Sequence, residues 1–263
     1  PGGWRSVPRA DRAMKPVLRW FGLVLLAACL LQLFFLGRIA AMAAIDPQST
    51  AFQRAEAWRI VQDKGELRWR QQWVPYAQIS DNLKRAVIAS EDDGYADHDG
   101  VDWEAVEKAW AKNSRAEELA EQRAAAGRKA RAPKVVGGST ITQQLAKNLF
   151  LSGERTLLRK AQEFVLTLAL EALLPKSRIL EIYLNIAQFG PDVFGVEAAG
   201  QRFFRKPAAA LNDYEAARLA AVLPDPKGRN PAKPSDFVRR MARQALSGAE
   251  TIRADGRSAC FEG

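Results

Sequence analysis

From Trp20 to Gly37 the chain reads WFGLVLLAACLLQLFFLG, with no charge and Gln32 as its single strongly polar side chain. As a helix rising ~1.5 Å per residue, this run is roughly 27 Å long, close to the hydrocarbon thickness of a bilayer, and Arg19 and Arg38 at its ends can snorkel to the interfaces. A spanning anchor over residues 20–45 is the economical reading. Arg5, Arg9, Arg12, Lys15 and Arg19 stand ahead of it against Asp11 alone. The positive-inside bias then puts residues 1–19 in the cytoplasm and everything after the anchor beyond the inner leaflet. A cleaved signal peptide is the rival, because Ala41-Met42-Ala43 has the small-residue pattern of a cleavage site, but the apolar core is longer than such peptides carry.

The rest must form a packed domain, since 263 residues with 48% hydrophobic and 26% charged side chains lie in the globular range. Two cysteines, Cys29 and Cys260, and one histidine, His98, argue against a disulfide framework and against a zinc site of the usual kind. The net charge of +9 fits nucleic acid, an anionic membrane surface or a phosphorylated substrate. No nucleic-acid-binding module is spelled and the charge lies outside the cytoplasm, so nucleic acid is excluded as a partner.

From Ile79 onward the pattern is helical and strands are scarce. Ser80 or Asp81 can cap a helix that ends near Glu91, and Asp102 can cap a second bearing Trp103, Val106 and Trp110. Thr140 and Gln143 form a T-x-x-Q capping box after Gly137-Gly138. A long helix from Glu154 to Leu174 closes at Pro175, the next opens at Ser177, and a last one covers Tyr214 to Leu223. The domain spans 46–231. Within it, residues 111–134 carry seven Lys/Arg and one large apolar residue, Leu119, and so read as a mobile insertion. The tail, 232–263, is expected to hold little order beyond a short amphipathic helix.

Two groups of residues can do chemistry. EDDGYADHDG, residues 91–100, crowds five carboxylates, which raises at least one pKa towards the range of a working base. Taken alone the segment reads as a solvated acidic turn, with His98 stabilising it. Arg155, Arg159 and Glu163 share one stripe of the long helix, with Lys160 beside them and Lys147 one helix earlier. Such cations can clamp a pyrophosphate, or simply lace an exposed helix face with ion pairs. The apolar run Phe164–Leu174 places the second half of that helix in the interior or near lipid. Together, a base for a sugar hydroxyl and cations for a leaving pyrophosphate suit glycosyl transfer from a lipid pyrophosphate.

Residues 91–100, GGSTITQQLAKN at 137–148, RKAQE at 159–163 and KSRILEIYLN at 176–185 resemble, in order and spacing, the motifs of the peptidoglycan glycosyltransferases of family 51, and the monofunctional members most of all. The likeness runs from Trp69 to Pro231. It implies a mainly α fold, a lysozyme-like helical lobe beside a smaller membrane-proximal jaw, in addition to the N-terminal transmembrane helix. It implies that lipid II and a lipid-linked glycan are the substrates, that the membrane is a partner, and that other cell-wall synthesis or division proteins associate with the chain. Glu91 matches the general base and Glu163 the second glutamate, an organiser of charge. Lys147, Arg155, Arg159 and Lys160 match cations near the donor pyrophosphate. Asp92, Tyr95, His98, Ser139, Thr140, Gln143, Gln144 and Asn148 match positions that shape the cleft, with Tyr95 where the family usually has Phe. No cofactor is required, although a divalent cation, Mg or Mn, could assist at the pyrophosphate through Asp92 or Glu163. Too few residues follow Arg229 for a transpeptidase domain and no S-x-x-K is present, so peptide crosslinking is not expected.

Overall fold

The apolar run folds as helix α1 (Ala10–Ala41), of which Pro16–Ala41 is long and apolar enough to cross a membrane. Most of its side chains are uncovered, as an anchor's would be, but its C-terminal end is docked. Ile39 and Met42 are buried in the core, and the Phe35 ring meets Phe150 at 5.3 Å. Gln32 and Gln162 exchange amide hydrogen bonds of 2.8 and 3.0 Å. Beyond the helix, Arg178 donates to the Met42 carbonyl at 2.7 Å and pairs with Asp46 at 2.7 Å.

The computed structural model describes residues 10–126, 137–151, 153–154 and 156–262. Ten α-helices and three short strands are found among them, so the fold is mainly α as expected. Helix α2 (Ala51–Lys64), which the sequence reading did not single out, opens on a Thr50/Gln53 capping box and stops at Gly65 in the left-handed region. After strand β1 (Arg70–Gln71), α3 (Asp81–Glu91) is capped by the Ser80 hydroxyl and α4 (Trp103–Ala125) by the Asp102 carboxylate. Helix α4 runs into the expected insertion: residues 111–125 are helical, with side chains turned mostly to solvent, and 127–134 lie outside the described residues. Helix α5 (Ile141–Phe150) starts at the Thr140/Gln143 box. Helix α6 (Leu157–Leu173) starts later than Glu154, at the Thr156 cap, and α7 (Lys176–Ile186) follows Pro175.

Strands β2 (Gln188–Gly190) and β3 (Val193–Phe194) form a tight hairpin, and β1 joins β3 in parallel to give the order β1-β3-β2. Gly195 leaves this sheet at φ 78°, and a Cβ there would lie 2.6 Å from the Asn185 carbonyl oxygen, so only glycine fits. Helices α8 (Val196–Phe204) and α9 (Asp213–Val222) complete the lobe.

The tail departs from expectation. It forms a helix of 19 residues, α10 (Asp236–Ala254), which packs on α3 and α9 and buries Val238, Ala242, Ala245, Ala249 and Ile252. Between Val238 and Ile252 its contact face is mostly alanine, whose weak apolar signal hides it in a basic sequence. The small side chains allow close approach: a Cβ on Gly248 would sit 2.8 Å from Ala89 Cβ of α3. The helix that ends in Glu91 is therefore held between two others.

Candidate active site

Glu91 closes α3 at the point where the chain leaves the helix through Asp92. Its Oε2 accepts a 2.9 Å hydrogen bond from Gln144 Nε2, whereas its buried Oε1 has no hydrogen-bond partner among the described residues. Burial raises the pKa of Glu91, Asp92 adds to the rise, and the Gln144 bond, Arg229 and Lys147 oppose it. Gln144 is itself oriented, because Tyr183 donates to its Oε1 at 3.0 Å and so turns the amide nitrogen towards the carboxylate. Burial, then the nearby charges of Glu91 and Asp92, hold the Tyr183 pKa well above its ordinary value, so it remains a donor. Nothing but its place in a helical motif marks Tyr183 in the sequence, where it reads as core.

Asp92 bridges two elements. Its Oδ2 accepts from the Ile141 amide at the start of α5 at 2.9 Å, and its Oδ1 lies 2.8 Å from His98 Nε2. Gly100 N–H donates to His98 Nδ1 at 3.1 Å, which leaves the proton on Nε2, facing Asp92. Thr140 donates from Oγ1 to the Gly100 carbonyl at 2.6 Å. These bonds lock the 91–100 turn onto α5, so the turn is not the solvated acidic loop that its composition alone suggests.

Three of the expected site residues are engaged within the fold. Tyr95 is fully buried, with its hydroxyl donating to the Lys176 carbonyl at 2.8 Å and its ring under Lys176 Nζ at 4.7 Å. Asp92 and Thr140 are buried and engaged as above. All three brace the framework, and Asp92 and Thr140 also line the cavity that Glu91 lines.

The cationic group lies across α5 and α6. Glu163 is buried and takes Arg159 at 2.7 Å on one oxygen and Lys160 on the other. Arg159 Nε is buried with no partner among the described residues. Lys147 projects beside them; shielding from water lowers its pKa, Arg159 and Lys160 pull the same way, and Glu163 and Glu91 oppose. Lys147 thus feels both carboxylates and links the two groups. Arg155 lies outside the described residues. Asp92 and Glu163 each have a partner on both carboxylate oxygens, and no group of three His, Cys, Asp or Glu side chains suited to a metal occurs among the described residues.

Two cavities flank this centre. One, of about 810 Å³, is lined by Gln144, Lys147, Asn148, Arg159 and Tyr183, with Phe52 and Glu56 of α2 on its wall. The other, of about 520 Å³, is lined by Glu91, Asp102, Ser139 and Thr140. The Gln144–Glu91 hydrogen bond joins their walls, so the Glu91 carboxylate stands one side chain away from a basic chamber.

The family described as Transglycosylase matches residues 60–249. The chain belongs to this family. Proteins named biosynthetic peptidoglycan transglycosylase are similar over most of its length. The Burkholderia thailandensis protein is 46% identical over 246 residues, covering 92% of this chain and 90% of that protein. The Azoarcus sp. protein is 45% identical, covering 81% and 88%, and the Bordetella pertussis protein 48% identical, covering 80% and 85%. The chain is therefore an enzyme, a glycosyltransferase, as its motifs suggest.

Proposed function

We propose that this transglycosylase polymerises lipid II into β-1,4-linked glycan. The unpartnered Oε1 of Glu91, buried beside a chamber that holds Lys147 and Arg159, carries this reading. Glu91 removes the proton from the 4-hydroxyl of the acceptor's N-acetylglucosamine, and that oxygen attacks the anomeric carbon of the lipid-linked glycan from the opposite face. The bond from that carbon to phosphate breaks, its electron pair leaves on undecaprenyl pyrophosphate, and Lys147, Arg159 and Lys160 absorb the charge. Ser139 and Asn148, at the two cavity walls, contact the sugars.

The names of the relatives support a peptidoglycan substrate, and a glycan-cutting reading fits less well. Cutting a glycosidic bond releases no pyrophosphate and so has no use for the cations Lys147, Arg159 and Lys160 gathered beside the centre. The apolar α1, with the basic residues ahead of it, supports a single-pass protein of the bacterial inner membrane, its N-terminus cytoplasmic and its enzyme domain periplasmic. Leu157 and Leu158 at the start of α6 and Trp110 of α4, all strongly exposed, supply the face that meets the bilayer. Labelled lipid II incubated with the purified chain should become polymer, and the Glu91→Gln variant should leave it as monomer. Polymer formed equally by both would overturn the assignment of the base.

A further inference from the structure

The chain beyond residue 249 lies outside the family match, yet it returns to the candidate active site. After α10, Gly256 turns the backbone at φ 77° into a 3-10 turn, Arg257–Cys260. Arg257 then lines the same cavity as Glu91, Ser139 and Thr140. Its Nη1 donates to the carbonyl of Asp93 at 2.8 Å and its Nε to Asp255 Oδ2 at 2.8 Å. The segment that carries it is fixed independently. Phe261 is buried in the core and its carbonyl accepts from the Tyr76 hydroxyl, Glu262 pairs with Arg85 of α3, and Ser258 is buried.

We propose that Arg257 is a positioning residue for the reaction, a clasp on the turn that carries Glu91 and Asp92. The physical reason is the place of the bond. Glu91 ends α3, and Asp92 at φ −164° has already left the helix, so the carbonyl of Asp93 is the first acceptor past the base that the C-terminal segment holds. The chain reaches Arg257 through α10, which packs on the same α3, so base and clasp share one support. With the clasp released, Asp92 and Thr140 still tie the turn to α5, but its Asp93 corner loses its hold and opens the cavity wall beside Glu91 to water. The groups that face this carboxylate from the packed elements are Gln144 and Lys147 of α5, Tyr183 of α7, Arg229, and its neighbour Asp92. None of them replaces the bond to the Asp93 backbone.

This inference rests on the proposed polymerisation. The test follows labelled lipid II with the full-length wild-type, Arg257→Ala and Arg257→Lys chains across pH. In Arg257→Ala, kcat should fall about ten- to a hundredfold, the size of effect that a small misplacement causes, with KM little changed. Its acid limb should move to lower pH, because a hydrated Glu91 loses the burial that raises its pKa. Arg257→Lys, which keeps a donor for the carbonyl, should recover most of both. Wild-type rates in Arg257→Ala would overturn the inference. So would a lowered rate with an unmoved acid limb and no recovery by lysine, since a simple loss of folded protein behaves that way. If the wild-type chain makes no polymer, the functional reading itself falls, and the two failures are told apart by that control.

Discussion

Among the described residues nothing pairs with the buried Oε1 of Glu91, and an ionised group held so works against folding. Its pKa is raised in the folded state, so its favourable contribution is complete only below the ordinary glutamate range and is lost as pH climbs through the raised value. Glu91→Gln mimics the protonated form at every pH. The variant should melt a few degrees above wild type near neutrality, and the two curves should converge in acid, as followed by circular dichroism. Equal Tm values near neutrality would mean that Glu91 is well solvated and not under tension. The same shift sets the rate: the acid limb of kcat/KM should lie above that of an ordinary glutamate. Lys147→Gln, which removes a charge that lowers the Glu91 pKa, should push what activity remains to still higher pH.

Tyr183 acts one bond further away. Tyr183→Phe keeps the packing but leaves the Gln144 amide free to turn its oxygen towards Glu91, and kcat should drop about tenfold with an unchanged fold. A rate equal to wild type would show that Gln144 needs no such orientation. Much of this site was legible in the sequence, because acid, amide and cation stand in named motifs. What was hidden is how each is satisfied. The sequence shows Asp92 as a polar group at the cleft and Thr140 as a cap, and only the fold reveals their bonds to the Ile141 amide and the Gly100 carbonyl.

At the scale of elements, caps were the best guides. Ser80, Asp102 and Thr140 start α3, α4 and α5 where their side chains indicated, because a cap is satisfied within a few residues of itself. Contacts between distant segments left weaker traces. Helix α10 buries mostly alanine, and the periodicity of large apolar side chains does not report a face made for close approach. Its closeness to α3 gives a test. Gly248→Val places a branched side chain where even a Cβ would lie 2.8 Å from Ala89, and should destabilise the protein by about 1–3 kcal/mol in denaturant unfolding despite valine's better helix propensity. A neutral or stabilising effect would mean that α10 is free to move away from α3.

Across the whole molecule, the anchor is continuous with the site rather than a tether to it. Gln32, which the sequence shows as a lone polar interruption of an apolar run, faces Gln162, the residue before Glu163 on α6. In a lipid environment an amide without a partner is costly, so each single replacement by leucine strands the other amide, whereas the double replacement strands neither. Gln32→Leu and Gln162→Leu should each lower the stability of the anchored protein in detergent by about 0.5–2 kcal/mol, and the double variant should lose less than their sum. If α1 is only a leash, the three variants will instead unfold together with wild type. An additive loss would equally dismiss the pair, because two side chains that do not meet have nothing to share. A positive coupling would mean that the seating of α1 and the placing of Arg159, Lys160 and Glu163 on α6 are set by one contact.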